Sequence, residues 1–392
     1  MTAPHDVVVV GAGVAGSATA LHLAQRGRRV VLIDRGAYPR EKVCGEGLMP
    51  HGVGELTGLG LCQEVEAAGA RRFQGIAYHV AGRTAVGRFP TGHGLGVRRW
   101  ALDAALLGRC QASDRIEVRL GARVTGLTVG AEGVSVAVGD GEVAARAVVG
   151  ADGRGSAVRR YRGLDVKVTA APRYGLRAHY KLARGQERPY VDVFVADDCE
   201  LYITPTGPGQ INVAVLCGRD LTRRIGGDLE AGFESVVRAH PEVGAMLQGA
   251  VRLTPPTLCG PLRRAARDVV ADRTLLVGDA AGFVDAITGE GMSVALVCAR
   301  LAAEVLDAAL DEDRLTASGL RPYARRRRAS TIDQIRLTEI LLWGLRNRTL
   351  AAHVVGNLAR HPDAFGKVLA VNSGERSLVG LGLTTIARIV GR

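Results

Sequence analysis

The run Asp6-Val7-Val8-Val9-Val10-Gly11-Ala12-Gly13-Val14-Ala15-Gly16 feeds an apolar strand into a turn that glycine alone builds without strain. A helical stretch, Ser17 to Gln25, follows, then a second apolar run from Arg29 to Ile33 that ends at Asp34. Strand, glycine turn, helix, strand and acid in this order make a βαβ unit suited to a dinucleotide. Gly11 permits the tight turn, Gly13 lets backbone approach a pyrophosphate, and Gly16 lets the helix pack closely, while the helix N-terminus offers free N–H groups to phosphate. Asp34 is placed for a ribose hydroxyl, and Ala15 and Arg35 belong to the same candidate set.

A chain of 392 residues exceeds one ordinary domain and suggests roughly two to three. With 47% hydrophobic and 23% charged residues, it has the composition of a folded enzyme rather than a disordered chain. The seven cysteines, at 44, 62, 110, 199, 217, 259 and 298, form no CxxC pair, so neither a disulfide framework nor a metal site is expected. Such thiols fit a reducing cytoplasm. No apolar stretch reaches the roughly twenty residues that cross a bilayer, and glycines break the N-terminal apolar run, which argues against a signal peptide. The formal net charge is +12, and Arg325-Arg326-Arg327-Arg328 is the one dense basic run. It lacks interleaved aromatics for stacking on bases, so no nucleic-acid partner is expected and a solvated helix face is the plain reading. The alternative is a patch for an acidic carrier protein or an anionic membrane surface.

Along the chain, the glycine-rich passage from Tyr38 to Gly60 reads as a functional loop, with helical periodicity resuming around Val53 to Leu56. Ile76 to Phe89 reads as short strands and Trp100 to Cys110 as a helix behind Arg98-Arg99. Ile116–Leu120, Val124–Val129, Val134–Val138 and Glu142–Val149 alternate like a meander. Val168 to Val215 alternates as a half-buried antiparallel sheet, with Arg177 and His179 on the face opposite Tyr180. Asp220 to Leu247 reads as helical, Thr274 to Val277 as a strand, and the chain from Gly291 onward as helical with breaks near Asp311, Pro322, Pro362 and Gly374.

Two further motifs follow strands. Ala147-Val148-Val149-Gly150-Ala151-Asp152-Gly153 leads to Ser156 and Arg159, and Leu275-Leu276-Val277-Gly278-Asp279-Ala280-Ala281-Gly282 leads to Thr288-Gly289-Glu290-Gly291-Met292 at the start of a long helix. An acid after a strand can hold a sugar hydroxyl, and glycines at a helix start turn N–H dipoles toward an electron-rich ring edge. In this order and at these distances the three motifs resemble the FAD-dependent monooxygenase superfamily with the para-hydroxybenzoate hydroxylase fold, which includes geranylgeranyl reductases and flavin-dependent halogenases. The similarity covers residues from about 6 to 310, and a helical tail is typical of the reductase-like branch.

The resemblance implies an α/β (α+β) chain: a discontinuous Rossmann-like FAD-binding domain over 1–75, 96–160 and 262–312, an antiparallel-sheet substrate domain over 76–95 and 161–261, and a C-terminal helical region over 313–392. It implies that Gly11, Gly13 and Gly16 hold the pyrophosphate and Asp34 the adenosine ribose. Arg99, spaced with Leu102, Asp103 and Leu106, resembles the arginine that reaches the cofactor, and Val124 resembles a position beside adenine. Asp152-Gly153 resembles a motif that serves the cofactor and a pyridine nucleotide. Asp279 would bind the ribityl chain or pyrophosphate, and Gly289, Gly291 and Met292 would face the flavin N1 and C2 carbonyl. The passage Arg40-Glu41-Lys42-Val43-Cys44-Gly45-Glu46-Gly47 resembles the cysteine-glycine loop of the reductase and halogenase groups, which sets Lys42, Cys44 and Gly45 near the cofactor. Cys44 lacks a second cysteine nearby in sequence for disulfide exchange, so small-residue packing is its plain reading.

The function implied is a monooxygenase of secondary metabolism that hydroxylates or epoxidises an aromatic or polyene-like small molecule. NAD(P)H would reduce the FAD in passing, with no Rossmann domain of its own, or an external reductase would do so, and O₂ would yield a C4a-hydroperoxide. The candidate catalytic residues are His179, Arg177, Tyr202 and Cys44, with Thr204 a further substrate contact. For His179 a solvent-facing place on the sheet competes with a role as general base. The alternative is a geranylgeranyl-type alkene reductase, supported by Cys44-Gly45 and the helical tail. Halogenation is disfavoured, because halogenases carry Trp-x-Trp-x-Ile-Pro where this chain reads Glu200-Leu201-Tyr202-Ile203-Thr204-Pro205. A flavin-binding protein without turnover is the remaining rival.

Overall fold

The structure, a computed structural model, describes residues 5–183 and 188–391. Residues 184–187, within the run expected to form sheet from Val168 to Val215, lie outside that description.

The first sheet grows from the glycine turn. The strand His5–Val10 is buried from Val7 onward, which suits a position with elements on both faces. It pairs in parallel with Val30–Ile33 on one side and Gly141–Gly150 on the other, and Ile116–Arg119 and Thr274–Leu276 extend the parallel order outward. The helices Val14–Gln25 and Gly291–Asp311 pack together, burying Ala18, Leu21, Leu296 and Ala299 in one core.

The meander has three strands rather than four. Val124–Val129, Val134–Val138 and the first half of Gly141–Gly150 pair antiparallel. Ile116–Arg119 instead joins Val30–Ile33 as an edge, where only Ile116 needs burial.

The second sheet runs, in spatial order, Val251–Arg252, Arg173–Lys181, Gln210–Gly218, Cys199–Gly207, Tyr190–Val195, Gly75–Val80 and Arg83–Arg88, with Thr257–Cys259 also on the edge of Arg173–Lys181. It is antiparallel except where Gly75–Val80 meets Tyr190–Val195. Its register sets side chains in rows on one face: Arg177, Ala214, Tyr202, Val193 and Tyr78 in one, with His179, Asn212 and Thr204 in the next. The other face carries Leu176, Ala178, Tyr180, Leu201 and Val213 against the helix Leu229–Ala239.

This sheet is buried on both faces, not half-buried. The helices after Gly218 cover one side, while Ala351, Val355 and Phe365 of the C-terminal helices cover Ile76, Val191 and Val193 on the other. Alternation reflects two different coverings here rather than core and solvent.

In the tail, the helix Ala317–Gly344 passes through Pro322, where a break was expected. The proline stands in the second turn, and the carbonyl it leaves unpaired belongs to the exposed Ser318, which water can reach. Arg325 and Arg328 are exposed on this helix and Arg326 pairs with Glu304, while Arg327 is half-buried, so three of the four arginines of the basic run face solvent. Among the described residues no helix is long and apolar enough to cross a membrane.

Candidate active site

The glycines of the first turn divide their work. Gly11 has φ +105°, and a Cβ there or at Gly16 would collide with backbone, that of Ala151 and Gly11 respectively. These two therefore build the close approach of turn, helix and neighbouring strand. Gly13 has nothing within 4 Å where a Cβ would stand, leaving open space at the helix N-terminus. That cradle fits a pyrophosphate.

A cavity open to solvent begins at this cradle. Gly13, Ala15, Gly153 and Asp279 line one part, and Lys42, Cys44, Gly45, Arg99, Gly289, Gly291 and Met292 another. The sheet supplies an apolar chamber from Ile76, Tyr78, Val191, Val193, Tyr202 and Leu216, roofed by Phe283 and Ile287. A glycine cradle at a helix start opening into a mostly apolar chamber suits FAD with an apolar substrate.

Other sequence candidates lie outside the cavity wall. Asp34 is buried beside the turn and accepts the Ala12 N–H at 2.7 Å and the Gly36 N–H at 2.8 Å. Arg40 also donates to both of its oxygens, at 2.8 and 3.1 Å, so a ribose hydroxyl must share or displace that arginine. Asp152 caps the helix Ala157–Tyr161 by accepting the Ala157 N–H at 2.6 Å, while its other oxygen is buried without a partner. Arg35 is exposed. Val124 follows Ala122, whose N–H bonds the Asp34 carbonyl, and stays partly buried on the sheet.

Arg99 begins the helix Arg99–Gln111 and is buried in the cavity wall. Its guanidinium meets both oxygens of Asp103 one turn on, at 2.9 Å each. Burial works against its charge, but Asp103 and Cys44 hold its pKa above the ordinary value.

The loop 40–47 is fastened to the sheet at three points. Asn212 donates to the Cys44 carbonyl at 2.8 Å, Arg177 pairs with Glu41, and His179 Nε2 lies 2.7 Å from Glu46 Oε2. Glu46 is fully buried, sits at φ +62° where most side chains are strained, and its other oxygen accepts the Arg99 N–H at 2.8 Å. Arg177 Nη1 is 2.9 Å from His179 Nδ1. A guanidinium only donates, so Nδ1 is the acceptor and Nε2 carries the hydrogen given to Glu46.

This overturns the solvent-facing place expected for His179, which is wholly buried. The loop crossing the strand covers it. Nor do His179 and Arg177 line the chamber; both are committed to the loop and act as positioning residues. Glu41, Glu46 and His179 bring ligand-type atoms within 4.8 Å of one another, yet Arg177 and Arg98 both pair with Glu41, and Arg98 also stands 4.0 Å from Glu46. Tyr202 does line the chamber, with its hydroxyl donating to the Ile287 carbonyl at 2.9 Å.

Two buried clusters were not foreseen. Arg173 pairs with Glu200 at 2.6 Å and Asp285 at 3.0 Å, and burial outweighs the arginine in raising the pKa of both acids. One cation between two such acids favours retention of a proton. Glu200, an acid inside the apolar strand Cys199–Gly207, was the signal for it. The second is His51, 3.2 Å from Glu290 in a geometry that forms no hydrogen bond. Burial lowers His51 to about 4 and raises Glu290 well above the usual carboxylate range, so both favour their neutral forms.

Comparison with known proteins agrees with this architecture. Residues 4–337 match the FAD binding domain family. The chain is 32% identical over 320 residues to a menaquinone reductase of Mycobacterium tuberculosis, covering 77% of this chain and 76% of that protein. It is 31% identical over 336 residues to digeranylgeranylglycerophospholipid reductase 2 of Methanopyrus kandleri, covering 82% and 81%. Among solved structures, a flavoprotein/dehydrogenase from Cytophaga hutchinsonii superposes with a TM-score of 0.86 at 20% identity over 99% of this chain and 98% of that one. The flavin-dependent brominase Bmp2 gives 0.83 at 19% over 94% and 93%. The chain therefore belongs to the FAD binding domain family and is an FAD-dependent oxidoreductase of the fold shared by flavin monooxygenases, halogenases and geranylgeranyl reductases.

Proposed function

We propose that this enzyme saturates a carbon–carbon double bond in an apolar, isoprenoid-like chain. The supporting observation is the single cavity that joins the glycine cradle to a chamber walled by Ile76, Val191, Val193, Leu216 and Ile287. Its relatives named as menaquinone and digeranylgeranylglycerophospholipid reductases point the same way. The likeness to halogenases and monooxygenases is one of fold, and His179, the candidate base for a phenol, is occupied by Glu46 and Arg177.

FAD, once bound and reduced, would supply the hydride. The chain's residues divide the remaining tasks. Gly13, Gly153 and Asp279 would hold the cofactor along its length, Asp34 its ribose, and the helix start at Gly291 would face the electron-rich ring edge. The chamber excludes water and aligns the double bond. Saturation also needs a proton, and Tyr78 and Tyr202 line the chamber with hydroxyls that burial keeps protonated. Electrons would come from a pyridine nucleotide docking transiently or from a separate reductase.

The test is a single turnover without oxygen. Reduced, FAD-loaded protein mixed anaerobically with a polyprenyl lipid is expected to reoxidise in proportion to the double bond lost. Reoxidation that requires O₂ would instead support the monooxygenase reading and overturn this one.

A further inference from the structure

The helical tail reaches the turn before the helix Gly291–Asp311 through a chain of buried polar side chains. Asn372, at the end of the helix Pro362–Asn372, donates from Nδ2 to the Thr288 carbonyl at 3.2 Å. On the helix Ala317–Gly344, Thr338 gives its one hydroxyl hydrogen to the Gln334 carbonyl at 2.8 Å. Its oxygen, 3.3 Å from that of Thr288, is therefore an acceptor there, and Thr288 donates. Gln334 Nε2 closes the chain by donating to the Asn372 carbonyl at 3.0 Å. All four side chains are buried, beside the apolar contact of Leu337, Val371 and Leu381. Among the described residues, the amide oxygens of Gln334 and Asn372 find no partner. Apolar residues of the same shape would avoid that cost, so stability alone does not explain a polar chain here.

What the chain holds is the approach to the cavity. Gly289 follows Thr288 at φ +70°, and Gly289, Gly291 and Met292 line the cavity wall. The Val294 N–H bonds the Glu290 carbonyl at 2.9 Å, and the N–H groups before it stand at the helix start, where a ligand can take them. The tail is itself seated on the second sheet: Phe365 stands where a Cβ on Gly87 would, and its ring lies 5.9 Å from that of Tyr78 in the chamber wall. We propose that Thr338 and Asn372 are positioning residues, which act through Thr288 to hold this helix start against the flavin ring edge and so favour the reduced, negatively charged cofactor. A hydrogen-bonded turn keeps the N–H dipoles fixed where charge develops, which a sliding apolar contact does not. The inference rests on the placement of FAD against residues 289–292 and not on the identity of the substrate.

Its test needs no turnover. The two-electron midpoint potential of the FAD-loaded protein is measured by anaerobic spectroelectrochemistry, alongside FAD content and thermal melts. Thr338→Val and Asn372→Leu keep the approximate shape and remove the bonds to Thr288. Each should lower the preference for reduced over oxidised FAD about tenfold, which is about 30 mV. Thr288→Ser, which retains the hydroxyl, should keep the wild-type potential, and Thr288→Val should shift it as Thr338→Val does. Leu381→Ala, which loosens the apolar contact beside the chain, should lower the melting temperature without moving the potential. An unchanged potential in both Thr338→Val and Asn372→Leu, or the same shift in Leu381→Ala, would overturn the positioning role. Gly289→Ala distorts the turn directly and should also lower the potential. If it does and the tail variants do not, the tail is merely structural; if no variant moves the potential, the placement of the ring edge fails as well. Neither result touches the proposed saturation of a double bond, which has its own oxygen-free turnover.

Discussion

Asp34 ties the fold together at the position proposed for a ribose hydroxyl. It ties the glycine turn through the Ala12 N–H and holds Arg40 at its outer side. Asp34→Ala should weaken FAD retention about tenfold or more, since hydrogen bonds to charged groups are worth about 1.5–3 kcal/mol; fluorescence titration of the apoprotein would show it, and unchanged affinity would count against the ribose assignment. The Glu46–His179 pair is a different case, because both groups are fully buried. Among the described residues, removing His179 leaves Glu46 with the Arg99 N–H as its hydrogen-bond donor and Arg98 4.0 Å away, so His179→Ala should destabilise the fold by about 3 kcal/mol or more. Denaturant unfolding would measure that loss, and an unshifted midpoint would mean that the loop is held otherwise. Asp34 was legible in the sequence because its partner is the adjacent glycine turn. Glu46 was not, because its partner is 133 positions away.

Elements carry their own tests. The helix Val14–Gln25 buries His22, whose pKa burial lowers from 6.5 to about 4, aided by Arg26. The unfolded chain thus binds this proton before the folded one does. The contribution is intact above pH 6.5 and is lost as pH falls toward 4, by up to about 3 kcal/mol for one such group. Melting temperatures measured across that window should fall less steeply for His22→Leu than for the wild type, and identical slopes would contradict the assignment. The short strand Gly94–Gly96 approaches Cys199–Gly207 so closely that a Cβ on Gly96 would strike the Pro205 carbonyl. Gly96→Ala should therefore cost about 1–3 kcal/mol, read as a lower denaturant midpoint. Elements with strong local signals, such as the two strands around the first turn, were plain from sequence. The strand Ile116–Arg119 was misassigned because alternation shows that a strand exists, not which neighbour it pairs with. Pro322 misled because an exposed carbonyl can lose its helical partner at little cost.

At the scale of the molecule, the second sheet, the loops that follow the strands of the first, and the start of the helix Gly291–Asp311 line one continuous cavity, and the division of labour follows from which residues line it. The FAD-binding architecture was legible because three strand-ending motifs keep their local meaning wherever the chain goes between them. The chamber was less so: Tyr202 and Thr204 were recognised, but Tyr78, Val191 and Ile287 come from separate strands and loops that only tertiary packing assembles. The reaction was read first as oxygenation, since the shared motifs bind the cofactor and are silent on where its electrons go. The relatives and the apolar chamber favour delivery to a double bond. The central claim is tested most directly by the mass of the product formed from a polyprenyl substrate under ¹⁸O₂. A gain of two hydrogens without labelled oxygen is the expected result; incorporation of one ¹⁸O atom would contradict it.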